Sequence, residues 1–220
     1  MLSINRIEVQ DSYSLKDEPD EDIDSTLHPL NGSWIFWALP KNRQQTIDWK
    51  DRIQKIAECS TVESFWSIYN KIRMPSEIQP GNSLFFFREG IKPEWEDEKN
   101  IGGGAWDFQF QIEHNHYKNY FQEELPHDKI WIDLLLGLIG EQFPETELIC
   151  GIVVTIKPNF IRFSIWTQES ENELAQTEIG DHIRKIIVLY QKISSLLYFS
   201  HEDRQNQISN RYPKYQIKFK

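Results

Sequence analysis

The sequence predicts an α+β domain in which an antiparallel sheet carries helices on one side. Three observations predict it. Several short runs have strand character, most strictly Trp106, Phe108, Phe110 and Ile112 alternating with Asp107, Gln109 and Gln111. Three longer stretches place apolar residues at helical spacing. The two kinds are mixed without a regular βαβ alternation, and no glycine motif of the kind that cradles phosphate accompanies them.

Taken in order, the first strand is the aromatic and aliphatic run Trp34 to Leu39, and the next is Ser83 to Phe87. The alternating segment from Trp106 follows. Ile149 to Lys157 and Phe160 to Trp166 form a hairpin around Pro158-Asn159, with Ile161, Phe163 and Ile165 facing one way and Arg162, Ser164 and Trp166 the other. Tyr215 to Phe219 reads as a last strand. Of the helices, the first opens on Ser60-Thr61-Val62-Glu63, a capping-box signature, and continues through Phe65, Trp66, Tyr69 and Ile72. The second spans Lys129 to Gln142 with Asp128 as its cap. The third runs from about Glu171 to Gln191, with Ile179, Ile183, Ile187 and Tyr190 on one face. On the second helix Trp131, Leu134, Leu135 and Leu138 form a stripe. Ile132, Leu136 and Ile139 widen it to roughly 200°, against about 100° for an ordinary surface helix. One sheet face cannot cover all of that, so another part of the chain or a partner must.

The 220 residues suffice for one domain with a proper core. Residues 1–27 hold eight acids against Arg6 and Lys16 and so account for −6 of the net charge of −10. They read as a disordered acidic tail, and 28–220 as a single domain of net charge −4. That balance excludes a protein that grips nucleic acid broadly through phosphates, yet allows one small basic patch. Two distant cysteines, Cys59 and Cys150, imply no disulfide framework, which suits the cytoplasm or nucleus. No apolar run reaches membrane-spanning length and no signal-peptide pattern opens the chain. The six histidines show no metal spacing, and no cofactor is implied. Gly102-Gly103-Gly104 reads as a flexible turn.

Eight Trp and thirteen Phe make the chain rich in aromatics. Trp49 and Trp95 stand in polar surroundings and are the tryptophans least easily explained as core. A flat aromatic in a loop suits a flat ligand, with stacking worth roughly 1–3 kcal/mol per base and a cationic ring gaining about 0.5–2 kcal/mol more. N7-methylated guanine is planar and cationic. Glu96, next to Trp95, can accept from both N1–H and the N2 amino group of guanine, a donor pair adenine lacks. Lys157 and Arg162 flank the hairpin turn and are suited to phosphates, with Trp166 on the same face as Arg162.

At this point the chain resembles the eukaryotic translation initiation factor 4E family, the messenger RNA cap-binding subunit of the initiation machinery. The resemblance rests on His28-Pro29-Leu30, the series Trp34, Trp37 and Trp49, Thr61 to Trp66, Gly90 to Asn100 with its Trp95-Glu96-Asp97-Glu98 block, Leu138 to Glu141, Cys150-Gly151 and Ile165-Trp166-Thr167, in that order. It implies a curved antiparallel sheet of about eight strands backed by three α-helices, with the cap on the concave face. It further implies that Trp49 and Trp95 sandwich the base, Glu96 reads the guanine edge, Trp166 lies against the N7-methyl group, and Lys157 and Arg162 bind phosphate. On the convex face His28, Pro29, Val62, Trp66, Ile132, Asp133 and Leu136 match positions that bind 4G-type scaffold proteins and competing 4E-binding repressor proteins.

The chain also departs from the family pattern. Asn159 and Ala105 stand where the family often has a base, Lys157 replaces an arginine, and the segment from Asp107 to Lys129 is longer than usual. These departures imply weaker triphosphate binding or a different cap preference. Ser209 lies near a region phosphorylated in some members, without the matching basic context. The expected function is therefore that of a non-enzymatic, monomeric cap-binding factor that recruits a scaffold. The alternative is a cap-binding repressor that does not support scaffold binding.

Overall fold

The computed structural model describes residues 27–41, 48–112, 125–190, 193, 195–206 and 212–219, together with the backbone but not the side chain of Trp49. Residues 1–26 of the expected tail, 113–124 of the long segment, and Ser209 lie outside the described residues.

Eight strands form one open, fully antiparallel sheet: β1 (Pro29–Leu39), β2 (Gln54–Thr61), β3 (Ser83–Arg88), β4 (Gly104–Gln111), β5 (Ile149–Ile156), β6 (Phe160–Thr167), β7 (Ser195–Ser200) and β8 (Tyr215–Lys218). Their order across the sheet is β2-β1-β3-β5-β6-β4-β7-β8. Three longer helices, α2 (Val62–Tyr69), α3 (Pro126–Ile139) and α4 (Glu173–Ile187), join two short ones, α1 (Trp49–Arg52) and α5 (His201–Gln205).

The period-two alternation sorts the side chains. Trp34 and Phe36 of β1, Leu84 and Phe86 of β3, Trp106, Phe108 and Phe110 of β4, and Ile161, Phe163 and Ile165 of β6 join one core with α2, α3 and α4. Within it Trp34 stacks on Phe86 at 4.9 Å, and Phe108 on Phe163 at 5.0 Å. Neighbouring residues turn to the opposite face, where Phe85, Phe87, Ala105, Val153 and Trp166 form a smaller cluster edged by Trp37 and Trp95. Trp37, three residues after the core Trp34 on β1, thus belongs to this second face.

Polar ties fix α4 on the main core. The Trp106 indole donates to the Gln176 carbonyl at 3.1 Å, and the Thr167 hydroxyl bonds both Gln176 and Tyr198 inside the sheet. A Cβ at Gly180 would stand 2.6 Å from the Trp106 ring, so glycine there lets the helix approach. The Gly102–Gly104 stretch is likewise a packing device: a Cβ at Gly103 would meet the Thr167 carbonyl at 2.2 Å.

Several helix ends differ from the expectation. The cap of α2 is Thr61, not Ser60: its hydroxyl accepts from the Ser64 amide while the Ser64 hydroxyl accepts from the Thr61 amide. Glu63, freed from capping, accepts from His28. The second helix starts earlier, with Leu125 at the cap and Pro126 in the first turn, where its missing N–H costs nothing. Asp128 therefore lies inside the first turn and accepts instead from the Ser76 amide at 2.9 Å. The third helix is shorter than its pattern, Glu173–Ile187, with Asn172 accepting from the Ala175 amide at its start.

Candidate functional site

The face of the sheet away from the three long helices holds a cleft of about 400 Å³. Its apolar lining comes from Leu39, Phe85, Pro93, Val153 and the two tryptophans Trp95 and Trp166. Ser83, Thr155 and Ser164 add hydroxyls, and Arg52, Lys157, Arg162 and Arg204 add cations. The structure thus brings together Trp95, Trp166, Lys157 and Arg162, four of the six residues the sequence nominated. The Trp49 backbone opens α1, three residues before Arg52; its side chain lies outside the described residues.

Alternation on β6 sets the far wall. Arg162, Ser164 and Trp166 share a face because their neighbours Ile161, Phe163 and Ile165 are in the main core. Arg162 sits opposite Thr155 on β5, and the Lys157 amide donates to the Phe160 carbonyl at 2.9 Å to close the hairpin. Lys157 and Arg162 thereby line the same cleft from the two arms. Trp166 is 6% exposed, its ring edge-on to Phe87 and 4.3 Å between centroids from the His201 imidazole. Burial, with Arg204 adding to it, pushes His201 down to about 3, so the imidazole against Trp166 is neutral at physiological pH.

The opposite wall is a loop, and two side chains shape it. Asp97 accepts from the Lys92 amide at 2.9 Å and the Lys99 amide at 3.0 Å. The buried Asn100 amide donates to the carbonyls of Lys92 and Glu94 at 2.8 and 2.6 Å. These bonds hold the turn that carries Trp95 and Glu96, and they engage Asp97 structurally.

Glu96 does not line the cleft. It is about half exposed and pairs with the Lys50 ammonium at 2.9 Å. The hydrogen bond from Lys50 lowers the Glu96 carboxyl below the usual glutamate range and raises Lys50 in turn. Lys50 follows Trp49, so this pair ties the two tryptophan-bearing segments to each other.

Arg52 and Arg204 were not nominated from the sequence. Arg52 donates to the Pro40 carbonyl at 2.7 Å, and its position three residues after Trp49 is the one signal that points to it. Arg204 lies on α5, in a region without a legible pattern.

On the helix-backed face, His28 and Pro29 join the start of α2. The Val62 amide donates to the His28 carbonyl at 2.9 Å, the His28 ring bonds Glu63 at 2.7 Å, and Pro29 pairs with Thr61. Val62 and Trp66 are each 36% exposed, while Phe65 and Tyr69 on the same helix are buried. Trp66 is held by edge-on contacts to Phe65 and Tyr69 at 5.3 and 5.6 Å. On α3, Trp131, Leu134, Leu135 and Leu138 are buried, whereas Ile132, Leu136 and Ile139 pack only in part against the core. Asp133, read as a partner contact, accepts from the Tyr190 hydroxyl and from Lys129. Among the described residues no helix is long and apolar enough to cross a membrane, and no group of three or more His, Cys, Asp or Glu side chains is placed to hold a metal.

Comparison with known proteins gives a consistent result. The family model "Eukaryotic initiation factor 4E" matches residues 29–216. Eukaryotic translation initiation factor 4E1 of Drosophila melanogaster is 38% identical over 176 residues, covering 80% of this chain and 63% of that protein. The Homo sapiens factor 4E is 36% identical over 177 residues, covering 80% of this chain and 76% of its own length. Among solved structures, Ascaris suum eIF4E-3 in complex with the m2,2,7G cap is 32% identical with a TM-score of 0.72, covering 87% of this chain and 98% of that one. Caenorhabditis elegans eIF4E-3 in complex with the 4E-binding protein Mextli and a cap analog is 30% identical with a TM-score of 0.71, covering 87% and 100%.

Proposed function

The chain belongs to the eukaryotic initiation factor 4E family, and from that premise we propose that it binds the 7-methylguanosine cap of messenger RNA and recruits a 4G-type scaffold protein in cytoplasmic translation initiation. The observation that carries the reading is the cleft itself. One face of the sheet gathers Trp95 and Trp166 with Lys157 and Arg162, two aromatic side chains and two cations in one cleft.

In this reading the base stacks on Trp95 and Trp49, with roughly 1–3 kcal/mol from each aromatic face. The positive charge that N7-methylation gives the ring adds cation–π attraction, which selects methylated over plain guanine. Trp166 abuts the methyl group. Glu96 exchanges Lys50 for the guanine N1–H and N2 donors, two charge-assisted bonds that adenine cannot supply. Lys157, Arg162 and Arg52 neutralise the phosphates. No covalent step is involved, and the protein acts as a binding factor and not as an enzyme.

Scaffold binding is supported by the surface around His28, Pro29, Val62 and Trp66, continued by Ile132, Asp133 and Leu136. Val62 and Trp66, each 36% exposed and the latter held edge-on by Phe65 and Tyr69, suit an amphipathic helix laid across α2 and α3. Competing 4E-binding repressor proteins would use the same surface. The protein acts as a monomer outside that complex.

The test is retention on immobilised 7-methyl-GTP followed by competitive elution. Free 7-methyl-GTP is expected to release the protein and unmethylated GTP to release little. Equal release by both would defeat the reading. A titration that adds the trimethylated cap sets the preference, a pertinent comparison because the Ascaris relative was solved with both m7G and m2,2,7G caps.

A further inference from the structure

We infer that Arg204, carried by α5 and aimed by Asp107 of β4, is a phosphate-binding residue of the cap cleft. The inference rests on the cap-binding reading and adds to it a residue outside the hairpin.

Asp107 sits between Trp106 and Phe108, both in the main core, so its carboxylate belongs to the cleft face. Its register partner on β6 is Ser164, which lines the cleft between Arg162 and Trp166. A lone carboxylate at that place would repel a polyphosphate. It is not alone: Arg204 donates to Asp107 Oδ2 at 2.8 Å, with the two side chains only 16% and 13% exposed.

The helix is set to deliver this arginine. The Ser200 hydroxyl accepts from the Asp203 amide at 3.0 Å, and the His201 amide donates to the Gly103 carbonyl at 2.9 Å, which ties α5 to the head of β4. The guanidinium carbon lies 5.3 Å from the centre of the Phe199 ring. A guanidinium carries five N–H donors in a planar fork. Asp107 engages one nitrogen and fixes the fork's plane, while Arg204 lines the same cleft as Lys157 and Arg162.

Ala105, two residues before Asp107 on β4, is fully buried and stands opposite Trp166 on β6 and Phe199 on β7.

The alternative is an internal ion pair that merely pins α5 to β4. The two differ in which part of the ligand feels the loss. Tryptophan fluorescence quenching in the full chain gives Kd for 7-methylguanosine, which lacks phosphate, and for 7-methyl-GTP. The variant is the double Asp107→Asn with Arg204→Gln, which keeps a neutral hydrogen-bonding pair and leaves no buried charge unmatched. The expected result is a loss of about tenfold on the triphosphate, the size of one charge-assisted hydrogen bond, with less than twofold on the nucleoside. Arg204→Lys, a point charge without the fork, should fall between. An equal loss on both ligands, or none on the triphosphate, overturns the inference and leaves the cap-binding reading standing. Failure of the unmodified chain to bind either ligand overturns both. A thermal melt on each variant identifies any that fails to fold, in which case Arg204→Lys decides by the same two ligands.

Discussion

The two faces of the sheet are made by the same strands and do different work. The helix-backed face is continuous, dry and closed: Trp34, Phe86, Trp106, Phe108 and Phe163 are almost wholly buried under α2, α3 and α4. The cleft face packs a smaller apolar cluster and leaves about 400 Å³ open, walled by a loop on one side and basic side chains on the other. The difference separates stability from binding at the level of single residues. Neighbours on one strand, such as Trp106 in the main core and Asp107 paired with Arg204, part because a strand turns successive side chains to opposite faces.

The largest test of that separation is Trp106→Ala. Removing a fully buried indole that also bonds Gln176 should lower the unfolding free energy by about 3–5 kcal/mol, measured by chemical denaturation. A small stability loss would mean the main core does not carry the fold. Next, Trp66→Ala should weaken a 4G-type peptide by about 2–4 kcal/mol in calorimetry, as an exposed interface tryptophan does, while 7-methyl-GTP affinity stays the same. Coupled losses would show that the faces communicate, intact peptide binding would remove Trp66 from the scaffold surface, and a parent chain that binds the cap but not the peptide would favour the repressor alternative.

Trp95→Ala should cost about 1–3 kcal/mol of cap affinity, with an unfolding change that is a small fraction of that at Trp106. A collapse in stability would place Trp95 in the fold and not in the site. The smallest expected effect concerns the Lys50–Glu96 pair. On the proposed function the cap is read by the ionised carboxylate, and Lys50 holds Glu96 below the ordinary glutamate range. Affinity is therefore retained as pH falls through that range and is lost as pH drops through the lowered value. In Lys50→Ala the acid limb of log Kd against pH should move up toward an ordinary glutamate; an unmoved limb would remove Glu96 from the recognition step.

Much of this was legible before the structure. The strict alternation from Trp106 to Phe110 and the hairpin around Pro158-Asn159 fall where the pattern put them. β2 was not legible because it is an edge strand dotted with Gln54, Lys55 and Glu58, whose exposure leaves little apolar signal. β7 was hidden because Leu196, Leu197, Tyr198 and Phe199 make a continuous apolar run with no period to read. The site followed the same division. Trp166 and Arg162 were placed by parity on one strand, whereas Arg204 rides on a five-residue helix behind the unread β7.

The sequence by itself determined which side chains share a face, which helices are amphipathic and which polar-flanked tryptophans to suspect, because these depend on residue type and on local periods of 2 and 3.6. Only the tertiary structure decided that Lys50 already occupies Glu96, that Asp107 meets Arg204 across 97 residues, and that Arg52 joins the cations of the hairpin. Those outcomes depend on which distant segments the sheet order and the chain reversals bring to one wall, and no local pattern encodes that.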